Sequence, residues 1–375
     1  MLLPLKPAQA LSIRRRLLEF YQGRRRDLPW RRSRDPYCIL VSEVMLQQTT
    51  VAAVIPYYLR FIQRFPDIPA LAASTEQEVL AAWSGLGYYR RARALREACR
   101  QIVREHDGRM PDAVDALRSL PGIGPYTAGA VASIAFGKQE PVLDGNVVRV
   151  LARLAARPGR GAAELRLLEQ AARRLVAGDR PGDLNQALME LGATICTPRQ
   201  PDCKACPLSR SCTARREGRP EEYPQAVQRP TMVRRRGVAL IIRDEGGGIV
   251  LVQRGDGELM PGLWELPGLT GQERQEVVPS PGKVVRHAGG QVGRQVDLGR
   301  SLGSFTHTVV NRRVQVEVRE GLLSNKQAIG EAPERPVRSV KPGHDVLPAL
   351  TSSARKALAV AGFPPHAWTT GGSGR

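Results

Sequence analysis

Leu120-Pro121-Gly122-Ile123-Gly124-Pro125-Tyr126-Thr127-Ala128-Gly129 decides how the first half of this 375-residue chain is read. The stretch closes one helical pattern, carried by Val114, Leu117 and Leu120, and opens another, carried by Ala130, Val131 and Ile134. Its two leading glycines, Gly122 and Gly124, let the backbone turn tightly and come close to a ligand. Pro125 suits a first helical position, where a backbone N–H is not needed. The free N–H groups at that helix start can hold a phosphate without reading a base, so Gly122 and Gly124 are expected phosphate contacts.

Working outward, residues 8–215 read as helix after helix, with apolar spacings of three and four such as Leu165, Leu168, Ala172 and Leu175. Residues 216–233 are polar and proline-bearing and read as a linker. Beyond it the period changes. Gly237–Arg243 and Ile249–Arg254 flank Gly246–Gly248, a hairpin signal. Val314, Val316 and Val318 alternate with Gln315, Glu317 and Arg319, as in a half-buried strand, and a helix is expected near Val346–Ala361. Residues 234–362 should therefore form an α+β domain after a mainly α first domain. Residues 363–375 are rich in Gly, Ser and Thr and read as a disordered tail.

The formal net charge is +20. Such a surface attracts polyanions, nucleic acid first among them; the alternative is charge that serves solubility alone. No apolar run reaches the roughly 18 residues a membrane span needs, so no membrane association is expected. The first twenty residues lack a long apolar core with a small-residue cleavage site, so no secretory signal is expected and the cytoplasm is the expected compartment. Nothing calls for an obligate oligomer.

Six cysteines are present, and four of them, Cys196, Cys203, Cys206 and Cys212, follow C-x6-C-x2-C-x5-C. Four thiolates this close can wrap an iron–sulfur cubane. Zinc is the alternative, although zinc sites of four cysteines usually pair two C-x2-C knuckles and this loop has one. The loop also carries Arg199, Lys204 and Arg210.

Two carboxylates stand out. Asp144 lies 20 residues past Gly124, where a helix begins. Its simplest role is an N-cap, and a carboxylate there is favoured in its charged form. A charged carboxylate can also stabilise a sugar oxocarbenium ion. Glu43 sits in a largely apolar helix that starts near Pro36. From spacing alone it reads as a solvated residue on the outer face. Facing an apolar pocket instead, its pKa would rise and it could act as a general acid.

Leu28-Pro29-Trp30-Arg31, the run Ser42–Val51, Trp83-Ser84-Gly85-Leu86-Gly87-Tyr88-Tyr89, Leu120–Ala130, Leu143–Arg153, the stretch Asn185–Ala193 and the cysteine loop occur in order. Together they resemble the MutY family of adenine DNA glycosylases across nearly the whole first domain. The resemblance implies a helix-hairpin-helix glycosylase domain with a [4Fe-4S] loop. The substrate it implies is double-stranded DNA carrying A:8-oxoguanine or A:G mispairs, and the place is the cytoplasm at the nucleoid. It also implies roles. Glu43 would protonate N7 of a flipped adenine, and Asp144 would stabilise the oxocarbenium ion, supported by Asn146 and Tyr126. Gln48 and Tyr88 would fill the gap in the base stack, while Thr49 and Leu86 would meet the opposite base. Trp30, Arg31, Leu46, Val51 and Gln186 would line the base pocket. A primary amide such as Gln186 matches the N6/N7 edge of adenine.

Endonuclease III-like relatives carry a lysine where Tyr126 stands, and that amine makes the Schiff base of a lyase step. The chain has seven lysines, and the first domain holds only Lys6, Lys138 and Lys204, so a monofunctional glycosylase is expected. In the second domain Pro261-Gly262-Leu263-Trp264-Glu265-Leu266-Pro267-Gly268 resembles the Nudix fold. Only Glu273 and Glu276 follow, too few glutamates for a Mg²⁺-dependent hydrolase, so the domain is expected to sense 8-oxoguanine. The family's sensor loop often reads Phe-Ser-His; here Phe305-Thr306-His307 is the match, with an added methyl group at Thr306. Two other functions stay open: a sibling glycosylase that removes thymine or uracil, and a non-catalytic iron–sulfur DNA-binding protein.

Overall fold

The computed structural model describes residues 5–363 except 227–230, 271–278, 310, 329–332, 334, 343 and 346. By compactness the chain divides into two units, Met1–Ser74 with Ala94–Gln228 and Thr75–Arg93 with Arg229–Arg375. The sequence alone draws a single boundary near residues 216–233; in this division Thr75–Arg93 goes with the second unit.

The described residues run, in order, through α1 (Pro7–Arg24), α2 (Pro36–Leu46), α3 (Val51–Arg64), α4 (Ile68–Ala73), α5 (Glu76–Trp83), α6 (Arg90–Glu105), α7 (Val114–Ser119), α8 (Pro125–Ile134), α9 (Gly145–Ala155), α10 (Ala162–Val176), α11 (Pro181–Thr194) and α12 (Thr213–Arg216). The core of the first unit gathers the inward stripes of four of these helices. Ile13 and Leu17 of α1, Val150 and Leu151 of α9, Leu168 and Leu175 of α10, and Leu184 and Leu188 of α11 are all buried there. Their spacings of three and four are the amphipathic signal of the sequence.

Helix starts follow local chemistry. Asp35 caps α2 by accepting from the N–H groups of Tyr37 and Cys38, and Pro36 takes the first position. Asp144 caps α9 through the N–H of Val147. Gly122 adopts φ +75°, and a Cβ there would stand 2.5 Å from Cβ of Ala94, so both the turn and the packing demand glycine.

In the second unit β1 (Val233–Ile242), β4 (Gly268–Thr270), β5 (Arg294–Val309) and β6 (Arg312–Ala328) form one sheet in the order β4-β1-β6-β5. A second sheet runs β3-β2-β7, from β2 (Ile249–Gln253), β3 (Trp264–Glu265) and β7 (Val337–Val340). Two helices, α13 (Pro281–Val292) and α14 (Ser352–Val360), complete it, giving an α+β unit. As the alternation predicts, Val314, Val316 and Val318 are buried. The expected hairpin between residues 237–243 and 249–254 is corrected. β1 runs parallel to β6 from Val233↔Arg312 to Ile242↔Gly321, β2 pairs with β7 and β3, and Arg243↔Ile249 is an isolated bridge between them. The apolar faces of the two strands explain it: β1 is buried mainly from Gly237 to Ile242 and β2 along nearly all its length, which a bare hairpin cannot supply. The closing helix is shorter than expected, starting at Ser352 with Thr351 as its cap. Glu273 and Glu276, and residues 364–375 of the expected tail, lie outside the described residues. Among the described residues no helix is long and apolar enough to cross a membrane.

Candidate active site

A cavity of about 700 Å³ opens in the first unit. Trp30, Arg31, Glu43, Leu46, Gln48, Thr49, Val51, Tyr126, Asp144, Asn146 and Gln186 all line it, so eleven residues singled out from the sequence converge on one space. Leu86 and Tyr88 belong to the second unit, in the segment between α5 and α6, as do Thr306 and His307 on β5.

Glu43 is on the inner face of α2, only 5% exposed, and the outer-face reading of this residue is corrected. α2 is apolar on every side, and Glu43 is the exception that its neighbours accommodate. The hydroxyl of Tyr126 donates to its Oε2 at 2.6 Å. Burial pushes the Glu43 carboxyl up to about 7; the Tyr126 hydrogen bond opposes this, the negative charge of Asp144 adds to it, and the Arg31 cation opposes it. Tyr126 itself is held as a neutral phenol, its pKa raised by burial and by the charges of Glu43 and Asp144.

Asp144 accepts from the backbone N–H of Val147 and from Nδ2 of Asn146, both at 2.7 Å. Asn146 in turn accepts from Arg149, whose guanidinium also donates to the carbonyls of Gly192 and Cys196. Gly192 has to be a glycine for this: a Cβ would stand 2.6 Å from Cβ of Asn146. The two carboxylates are thus held from two helices, Glu43 on α2 and Asp144 as the cap of α9.

The far wall carries a group that sequence reading missed. Glu190 of α11 has a side chain with no exposed surface and accepts from Nε of Arg26 at 2.7 Å and from Arg31 at 2.8 Å. Burial alone would raise its pKa, but the hydrogen bonds and charges of Arg26 and Arg31 prevail and hold it below the ordinary value. Glu190 and Met189 stand four and three residues beyond Gln186, which is the helical spacing that puts them on its face. Nothing in the basic run before Asp27 marks Arg26. Trp30 is fixed by an edge contact with Tyr58, ring centroids 5.3 Å apart.

Gln48 and Tyr88 both have positive φ, 57° and 51°. Non-glycine residues rarely sit there, and such strain gathers at functional positions. Tyr88 is 55% exposed, with Arg91 stacked over its ring, whereas Leu86 is buried. Phe305, Thr306 and His307, expected as a loop, are instead paired strand, facing Val316, Gln315 and Val314 of β6. The buried valines of β6, Val314, Val316 and Val318, dictate that register. Burial and the nearby Lys356 and Arg254 cations lower the pKa of His307. At the turn before α8, Gly124 is the N-cap and makes no side-chain claim on the helix start.

Cys196, Cys206 and Cys212 pack against the core of the first unit. Among the described residues no three potential ligands converge on a point where one ion would be held. A test of what the loop suits comes from Arg153, 2% exposed. Its donors go to the carbonyls of Thr197, Pro198 and Tyr223 and to Sγ of Cys196 at 3.3 Å, and among the described residues it meets no carboxylate. A buried cation without a counter-ion is costly, and an anionic thiolate cluster beside it fits that need.

Residues 41–176 match the model of the HhH-GPD superfamily of base-excision DNA repair proteins. The chain is 35% identical to a human adenine DNA glycosylase, over 90% of this chain and 70% of that protein. An adenine DNA glycosylase of Mycolicibacterium smegmatis is 47% identical over 54% of this chain and 70% of its own length. A solved thermostable thymine-DNA glycosylase superposes with a TM-score of 0.52 at 33% identity, covering 56% of this chain and 97% of that one.

Proposed function

The chain belongs to the adenine DNA glycosylases of the HhH-GPD base-excision superfamily, and from that membership we propose that its cavity removes adenine from a mispair with 8-oxoguanine or guanine. The observation that carries the reading is the buried Glu43 carboxyl, with a pKa near neutrality, beside Asp144 in one cavity. A base must leave the stack to reach such a space, and a mispair lowers that cost. Glu43 then gives its proton to N7 of adenine. The electron pair of the N-glycosidic bond passes to the base, and the carboxylate of Asp144 faces the positive charge left on the sugar. Water then adds its oxygen to the sugar carbon C1′, and the proton it releases restores the acid form of Glu43. Tyr126 keeps Glu43 in place, and Asn146 keeps Asp144 in place. Trp30, Arg31, Leu46, Val51 and Gln186 hold the base, while Gln48, Thr49, Leu86 and Tyr88 serve the opened stack and the opposite base.

Among the described residues no lysine lines the cavity, and Lys138 is paired with Asp112 at 2.7 Å. This supports a glycosylase without a lyase step, and borohydride should trap no covalent DNA adduct. Gly122 and Gly124 offer their turn to a DNA phosphate. Cys196, Cys203, Cys206 and Cys212 would hold a [4Fe-4S] cluster, which when bound fixes the loop that carries Arg199, Lys204 and Arg210. A brown protein with four irons per chain is expected; colourless protein with one zinc would replace that assignment. The second unit, read as Nudix-like, senses the opposite base through Thr306 and His307. The protein acts as a monomer at the nucleoid.

The test is single-turnover base release from duplexes that differ only in the mispair. Adenine should leave fastest opposite 8-oxoguanine and more slowly opposite guanine. The likeness to a thymine-DNA glycosylase supplies the second reading. Release of thymine from T:G in place of adenine would establish it.

A further inference from the structure

Tyr21 of α1 is 1% exposed and belongs to the core of the first unit, yet its hydroxyl is spent on the cavity wall. It donates to Oε1 of Gln186 at 2.9 Å, across 165 residues of sequence. Its ring lies under Arg31, the guanidinium carbon 5.4 Å from the ring centroid. One buried phenol thus supports two lining residues of the same space. Burial raises its pKa, so the hydroxyl keeps its proton and remains a donor.

The orientation of a primary amide is set by its partners, because its oxygen and nitrogen ends are alike in size. Here the Tyr21 proton selects the oxygen end. The flipped amide would turn N–H toward a buried hydroxyl whose proton, among the described residues, meets no other acceptor, at the cost of an unmade hydrogen bond. Oε1 keeps a second lone pair. We propose that Tyr21 is a positioning residue that fixes the Gln186 amide with its oxygen as the acceptor for the 6-amino group of the extruded base. The inference rests on the adenine reading of the cavity and deepens it. It makes the choice between a 6-amino purine and one without that group depend on a residue that never touches the base.

The substitution Tyr21→Phe keeps the ring and its contact with Arg31 and removes the hydroxyl alone. Single-turnover release would be compared for duplexes carrying adenine or unsubstituted purine opposite guanine. Loss of one hydrogen bond corresponds to about a fivefold change. The adenine rate should fall about fivefold while the purine rate stays as it was, so the adenine-to-purine ratio drops by the same factor. In a Gln186→Ala background the same substitution should leave that ratio unchanged. Equal losses on both bases would make Tyr21 a packing residue and overturn the proposal, and so would an unchanged ratio in the single variant. Wild-type protein that released no adenine would instead remove the reading beneath it.

Discussion

The cavity of the first unit and the strand end that carries Thr306 serve one proposed reaction, and they are built in opposite ways. In the cavity four polar side chains are each held by another. Glu43 takes the Tyr126 hydroxyl, Asp144 takes Asn146, Glu190 takes two arginines, and Gln186 takes Tyr21. On β5, Thr306 is exposed. Its carbonyl accepts from Lys356 at 3.2 Å, and it stands opposite Gln315 of β6. Chemistry that moves a proton and leaves a cation needs fixed partners in low dielectric. Reading the opposite base needs a surface that meets DNA. The difference teaches that variants of these four cavity groups should change rates for every opposite base, whereas variants on β5 should change only the ratio between opposite bases.

The sharpest way to break this contrast is Glu43→Gln. An amide has no proton to give, and the single-turnover rate should fall by about 10²–10⁴ opposite 8-oxoguanine and guanine alike. A loss confined to one opposite base would merge the two regions. Glu190→Gln comes next. It strands Arg26 and Arg31 around a neutral group, and chemical denaturation should show a loss of about 3 kcal/mol or more. A variant as stable as the parent would mean that the buried ion pairs are not what holds that wall. The smallest effect belongs to Thr306→Ala. It should change the 8-oxoguanine-to-guanine ratio by no more than about tenfold, the scale of one hydrogen bond, with the rate opposite guanine unchanged.

How much of this can be read from the sequence differs between the same two regions. The helical first unit is legible because each of its stripes buries locally: Leu168 and Leu175 announce their helix without reference to any other. Asp144 is legible as a cap because the capping bond spans three residues. Glu43 is ambiguous because its burial depends on α8, whose Tyr126 is 83 residues away. Glu190 escapes notice for a similar reason, since Arg26 lies 164 residues off. In the second unit the strands are visible by alternation, but their pairing is not. The parallel match of β1 with β6 joins residues 79 apart at Val233↔Arg312, and no local turn encodes it. Phe305–His307 are drawn into a strand by a local pairing instead, the antiparallel match of β5 with β6 that closes at Val309↔Arg312.

The most direct test of the central claim is the pH dependence of single-turnover adenine release. Burial holds the Glu43 carboxyl up to about 7, and the protonated form is the acid. The rate should therefore be level below that value and fall about tenfold per pH unit above it. Glu43→Gln should be slow and without that break. A wild-type rate that stays level from about pH 6 to about pH 9, spanning the expected break, would contradict a buried Glu43 as the proton donor, as would a Glu43→Gln variant with full activity.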